Sequence, residues 1–432
     1  METLERLAQF RQQVYQTCPQ RPAALLDLVD AVAQTPRPHS PAELSLSMQR
    51  HWTTLYDALR HGHINLDTLR PLLAQTASTA APFRVDGCRV VLFDHTGFPR
   101  PAARTVADRE CYPGPNGVPQ VGHRYSWLCQ LVDAETSWVA PLDVERIGPG
   151  DKPVGIALTQ LARLAQTSAE PIIGVGDREY GVDDMLRVIP KLPGVPVTTV
   201  TRVRSNLVFS QPPPPRQPGQ RGRSRIYGAR VHLNDPTTWP SPDWQADEVL
   251  ATGERIERQG WANWRRRGIG EVAVQLIQVR VVRADGQPKY KQPLWLMVVG
   301  HLDWGAAAAL YQPRWREETW HRQAKDLFGW SRAQLGDVER QDRWSWVVVL
   351  ACWQLLLARD VARDCPRAWE RGAGDGPLPL ARVQRDYGRI LQQFGLQAPA
   401  PKPRGKAPGR PVGARLERKL RQPLLKRRLK AA

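Results

Sequence analysis

Two aspartates each close an apolar run. Asp94 follows Cys88-Arg-Val-Val-Leu-Phe93, and Asp177 follows Pro171-Ile-Ile-Gly-Val-Gly176. Short apolar runs bounded by breakers read as buried strands. Carboxylates at strand ends face the crevice outside an α/β sheet, where such folds usually keep their sites. Two of them make a hard-oxygen set suited to a divalent cation. Singly, each is also an ordinary turn former, so both readings stay open at this level. A third group lies in the segment YQPRWREETWHRQAK, residues 311–325. Read as one α-helix at about 100° per residue, it gathers Tyr311, Arg314, Glu318 and Lys325 within about 60°. Arg322 lies beside them, whereas Glu317 falls roughly 120° from Tyr311. A solvated face could group the same charges for i,i+4 pairing. Carboxylates beside fixed cations suit phosphodiester chemistry, which needs little covalent help from protein. It needs two divalent metals ~3.5–4 Å apart and cationic side chains on the phosphates.

Those groups need elements to hold them. Residues 1–80 read as helical, since Leu4, Leu7, Phe10 and Val14 keep a helical period, as do Leu25, Leu28, Val29 and Val32. Ser40-Pro41-Ala42-Glu43 is a capping box that predicts a helix through Met48, Trp52, Leu55 and Leu59, ending near Gly62. Composition leaves open whether this region grips DNA ends or only packs. Over 81–200 the order is strand, hairpin (Tyr125–Val132 and Ser137–Leu142), helix (Val154–Ala165) and strand, which predicts an α/β core with a mixed sheet. Residues 201–300 interrupt that core as a basic, β-rich insertion with runs at Glu271–Val282 and Leu294–Val299. The core resumes over 301–365 with helices from about Tyr311 to Phe328 and around Trp344–Ala358. Residues 366–432 hold a helix near Leu380–Phe394 and a basic tail, flexible until it meets a partner.

Charge points to the partner. The chain of 432 residues has 61 Lys+Arg against 42 Asp+Glu, a formal excess of +19. Residues 401–432 hold 12 of the basic residues with one acid, and residues 201–230 hold seven Arg with none, which is nearly all of that excess. Basic charge confined to two patches implies a polyanion, nucleic acid or an anionic membrane. No apolar run reaches the ~20 residues that span a bilayer. The best, Trp346–Ala358, is interrupted by Gln354 and flanked by Arg343 and Arg359, and reads as a buried helix. The N-terminus has no signal-peptide pattern. The six Cys are scattered without zinc or disulfide spacing, as in a cytosolic chain with reduced, mostly packed thiols. Other features carry less. Gly174-Val-Gly176 lacks the lysine of a phosphate-binding loop, His95 is a packing residue, Asp183 and Asp184 suit a solvated helix face, and Asp303 is the one rival carboxylate.

The spacing Tyr311-x2-Arg314-x3-Glu318-x6-Lys325 resembles the signature of the DDE transposases of the insertion-sequence-four type, which cut transposon ends through a DNA hairpin. Asp94 in VVLFDHTGFP and Asp177 in GVGDREYG are similar to that family's two aspartate blocks. VTRVRSN, RQPGQRGRSRIYG and PKPRGKAPGRPVG also look like it, so the resemblance runs from about residue 84 to 413. Two departures stand out: Glu317 occupies a position that is often apolar in the signature, and RGRSR replaces an RGRP-like stretch.

The resemblance implies an RNase H-like core and a two-metal mechanism using Mg²⁺, with Mn²⁺ as a substitute. Asp94 would bridge both ions, Asp177 would hold one and Glu318 the other. It implies phosphate contacts from Tyr311, Arg314, Arg322 and Lys325, further DNA contacts from Arg221, Arg223 and Arg410, and a flipped base stacked on Trp295, with Trp261 and Trp264 behind it. It also implies double-stranded DNA partners (terminal inverted repeats and target), a homodimer in a synaptic complex, and a bacterial cytoplasmic, nucleoid-associated setting. Two alternatives remain: an RNase H-fold nuclease that does not transpose, and a catalytically silent DNA-binding relative.

Overall fold

The structure is a computed structural model. It describes residues 2–114, 117–215, 222–223, 225–374, 376–395, 409, 413 and 419–425. The chain opens with helices α1 (Glu2–Gln16), α2 (Pro22–Gln34), α3 (Pro41–Ser47), α4 (Thr54–His61) and α5 (Leu66–Ala80). Ser40 caps α3 as its sequence foretells, its hydroxyl accepting from the Glu43 amide at 3.2 Å. The helix expected to run on to Gly62 stops at Ser47 instead. Gln49 takes a left-handed conformation (φ 53°), which breaks the α path before α4 and leaves Trp52 exposed.

Next come β1 (Arg84–Val85), β2 (Cys88–Pro99), β3 (Glu110–Pro113), β4 (Pro119–Leu131), β5 (Val139–Ile147), α6 (Pro153–Thr167), β6 (Ile172–Gly176), α7 (Asp183–Val188) and β7 (Val197–Val203). Strands β2, β4 and β5 form an antiparallel meander, and β6 and β7 add in parallel on the other side of β2. The central order β5-β4-β2-β6-β7 with helix α6 crossing between β5 and β6 is the RNase H-like arrangement. Val90 to Phe93 and all of β6 are buried, as strands covered on both faces must be. Gly174 and Gly176 serve packing: a Cβ there would meet the Phe93 ring at 2.9 Å and 2.3 Å.

Beyond β7 the chain forms β8 (Val208–Ser210), β9 (Arg230–His232), β10 (Trp244–Val249), β11 (Arg255–Arg266), β12 (Ile269–Val282) and β13 (Leu294–Val299). This stretch is β-rich as read, but it is not set apart from the core. Strand β7 crosses the expected boundary at residue 200, and β13 pairs with it from Thr199↔Val299 to Val203↔Trp295, so one sheet runs through both regions. The last helices are α8 (Trp304–Leu310), α9 (Trp315–Asp326), α10 (Val338–Ala358) and α11 (Leu380–Leu391). Helix α10 lies between β5 and the bundle of α1, α2, α4 and α11. It is long and apolar enough to cross a membrane, yet it is largely buried in this core, where the Trp353 indole donates to the Pro141 carbonyl at 2.7 Å.

Two sequence expectations are corrected here. The helix predicted over Tyr311–Phe328 is two helices: Gln312–Arg314 forms a 3-10 turn between α8 and α9, because Pro313 lacks the amide that a continuous α-helix would use. Part of the tail is also docked, since Gln422 and Leu425 donate to the Arg104 and Arg109 carbonyls at 2.8 and 2.9 Å beside β3.

Candidate active site

The sheet divides at Asp94. Strand β2 pairs with β6 up to Phe93↔Gly176, where β6 ends, and then pairs with β4 alone as far as Pro99↔Gly122. Asp94 and Asp177 are the next residues on the two parallel strands, and neighbouring strands lie about 4.8 Å apart. The two carboxylates therefore share the crevice opened by the end of β6. Each also orders its own backbone: Asp94 Oδ1 accepts from the His95 amide and Asp177 Oδ1 from the Glu179 amide, both at 2.7 Å. Burial, and then Asp177, push the Asp94 carboxyl up to about 7. His95 does more than pack: half-buried at the crevice, it has Nδ1 3.3 Å from the Tyr180 hydroxyl and Nε2 3.5 Å from Glu179 Oε2.

Helix α9 covers this crevice, and three contacts set its rotation. Arg316 donates to the carbonyls of Asp133 and Ala134 in the β4–β5 turn. Trp320 packs edge-on against Trp127, centroids 5.5 Å apart. Lys325 Nζ donates to Thr96 Oγ1 at 2.6 Å, two residues beyond Asp94. The buried stripe of α9 is Glu317, Trp320, His321 and Ala324, the i, i+3, i+4, i+7 pattern of an inward face.

Glu317 is thus fully buried with no side-chain hydrogen bond to its carboxylate, and burial followed by Asp94 pushes it well above the usual carboxylate range, against the pull of Arg314 and the Asp94 amide. Glu318 is exposed and ion-paired to Arg314, whose other nitrogen lies 3.9 Å from Asp94 Oδ2. Glu317 does diverge from the face of Glu318 and Lys325, and that divergence turns it inward, onto the buried stripe with Trp320, His321 and Ala324. The missed signal was the apolar spacing Trp320–Ala324–Phe328, which places Glu317 on the inward face.

The remaining expected site residues divide. Tyr311 lies under the Arg314 guanidinium, 5.7 Å from its ring centroid, so Tyr311, Arg314 and Lys325 do gather at the crevice. Arg322 is exposed on the opposite side of α9 from its buried stripe. Arg223 is exposed, whereas Arg221 and Arg410 lie outside the described residues. Trp295 is corrected: it is 1% exposed, packed against Trp239 and Trp261 at 5.2 and 5.5 Å, with Trp264 behind, so it has no open face for a base. Asp303 is accounted for as the α8 cap, accepting from the Ala306 amide at 3.1 Å.

The donor set fits a divalent cation. Two adjoining carboxylates and a buried third disfavour each other's charged forms, with Arg314 and Lys325 as the nearby cations, and a divalent counter-ion would favour the charged forms instead. Among the described residues no three His, Cys, Asp or Glu groups already close on one point. Mg²⁺ is ordinarily held by one or two carboxylates plus substrate phosphates, so the aspartate pair suffices to begin.

The sheet has RNase H-like order, with one acid on its central strand where the neighbouring parallel strand ends and a second just past that end. The chain belongs to the DDE superfamily endonucleases: that family's model matches residues 13–268. The match takes in helices α2 to α5 and both aspartates, and ends before α9. No curated protein matches the chain.

Proposed function

We propose that this protein is the transposase of an insertion sequence, of the hairpin-forming type with the Tyr-Arg-Glu-Lys signature. The observation that carries the reading is the pairing of an acid crevice with fixed cations. Arg314 stands 3.9 Å from Asp94, and Lys325 is tied to Thr96 on the same strand. A simple nuclease needs the acids to nick. A hairpin requires the opposite strand to be bent back onto the new 3′-OH, and that demands phosphates gripped beside the cut.

Arg314 suits a bidentate phosphate grip and Lys325 a point contact. Tyr311, under the guanidinium, limits where Arg314 can swing. Asp94, Asp177 and a glutamate of α9, which the signature spacing assigns to Glu318, would hold Mg²⁺ or Mn²⁺. When bound, these ions supply Lewis-acid activation of the attacking oxygen and stabilise the leaving one. The partners in this reading are terminal inverted repeats and target DNA, with two copies of the chain synapsing two ends. The basic segments 201–230 and 401–432 supply non-specific phosphate attraction.

The test is a denaturing gel of an end-labelled duplex carrying the element's terminal repeat, incubated with the protein and Mg²⁺. A product running at about twice the strand length, the hairpin, is expected after the nick. Nicking that never yields it would assign the chain to the non-transposing nucleases.

A further inference from the structure

Most tryptophans of this chain are packed inside, but Trp369, between α10 and α11, is 78% exposed. The loop that carries it is braced on both sides of the ring. The Glu370 amide donates to the Arg367 carbonyl at 2.9 Å, and the Arg367 amide donates to Glu370 Oε2 at 3.0 Å. Arg385 of α11 grips the same carboxylate with both terminal nitrogens and, with the Arg367 amide, holds it down at about 2. Asp364 accepts from the Ala373 amide and from Arg382, each at 2.7 Å, and Arg382 also donates to the Arg371 carbonyl at 2.6 Å. The ring is therefore held out in water on an ordered backbone, so a partner meets a preorganised contact.

Charge indicates the partner. Asp360, Asp364, Glu370 and Asp386 are ion-paired to Arg359, Arg382, Arg385 and Arg389 respectively. Arg363, Arg367 and Arg371 of the same loop are exposed and outside any ion pair among the described residues. The Arg367 guanidinium lies over the Trp369 ring, 5.6 Å from its centroid. An open aromatic face among free arginines suits a nucleic-acid strand, the ring taking a base and the guanidinium groups taking phosphates. Bases inside a duplex are already stacked, so the ring calls for an unpaired strand. The loop also begins beside the scaffold of the crevice: Arg359 pairs with Asp133 on the β4–β5 turn, the turn that anchors Arg316 of α9.

We infer that the loop bearing Arg363, Arg367, Trp369 and Arg371 is a seat for unpaired DNA, with one base stacked on Trp369 and phosphates on the arginines. This seat is separate from the acid crevice, and it does not depend on whether the chain forms a hairpin.

The experiment is fluorescence anisotropy of a labelled single strand of about 20 nucleotides, titrated with the full chain in EDTA over a salt series, with the blunt duplex in parallel. Trp369→Ala should weaken the single strand about 5–100-fold, the range for losing one base stack, and leave the salt slope unchanged. Trp369→Phe keeps a π-face and should restore most of the affinity. Arg367→Gln and Arg371→Gln should each flatten the slope of log K against log salt by about 0.7, the loss of one phosphate contact. The duplex should be affected less than the single strand. These side chains are exposed, so thermal melting should stay at the wild-type value. Unchanged single-strand affinity in Trp369→Ala, or equal losses for strand and duplex, overturns the inference. So does wild-type self-association that Trp369→Ala abolishes while DNA affinity stays intact, since the loop would then serve a second copy. None of these outcomes bears on the hairpin assay, so the two readings fail separately.

Discussion

The strand-borne acids and the helix-borne acids of this protein are positioned by different physics. Asp94 and Asp177 follow the last register pair of β2 and β6, so counting residues along two strands is enough to bring them together. Glu317 and Glu318 depend on the rotation of α9, where one residue is about 100°. That rotation is set by distant contacts: Arg316 on the β4–β5 turn, Trp320 on Trp127, Lys325 on Thr96. A sheet transmits position by count and is forgiving. A helix transmits it by angle, and a step of one residue decides which acid faces inward.

The largest effect should come from the sheet. Asp94→Ala is expected to lower Mg²⁺-dependent nicking by roughly 10³-fold or more, several kcal/mol of transition-state stabilisation at about 1.4 kcal/mol per decade. DNA retardation should be unchanged, and loss of retardation would mean that the substitution damages the fold. The helix approach gives a more selective effect. Arg314→Ala should leave nicking measurable and cut hairpin closure by roughly 10–100-fold, the equivalent of one charge-assisted contact of about 1.5–3 kcal/mol. Lys325→Ala should act the same way more weakly. Equal loss of both steps would place these cations in the first cut as well.

The smallest effect concerns how firmly α9 is held. His321, on its buried stripe, is kept well below the usual histidine range by burial and then by Lys325. The folded chain therefore leaves it neutral at pH values where the unfolded chain protonates it. Its stabilising contribution is full above about pH 6.5 and declines as pH falls, by up to about 1.4 kcal/mol per pH unit. Asp94, raised to about 7, has the opposite sign, gaining stability as pH falls through that value. The contrast between wild type and His321→Gln isolates the histidine: urea midpoints from pH 7.5 to 5.5 should fall more steeply for wild type. Parallel curves would remove His321 from the account.

Legibility followed the same division. The apolar runs before Asp94 and Asp177 were readable because they are local, and so was the Ser40 cap, but β2 runs on past Asp94 through Gly97 to Pro99, paired with β4. The burial of α10 was readable from its composition. The joining of β13 to β7 was not, since pairing across more than 90 residues leaves no local trace. Trp295 misled for a related reason: its partners Trp239 and Trp261 are brought to it by the fold. The inward turn of Glu317 was legible in principle from Trp320 and Ala324. Glu318 and Lys325 keep within α9 the angle their spacing gives, whereas Pro313 sets Tyr311 and Arg314 before its start.

The most direct test of the central claim is anomalous scattering from Mn²⁺ in crystals of the full chain. The ion is expected between the Asp94 and Asp177 carboxylates, with a glutamate of α9 turned onto it. Mn²⁺ bound elsewhere, with these carboxylates left bare, would contradict it.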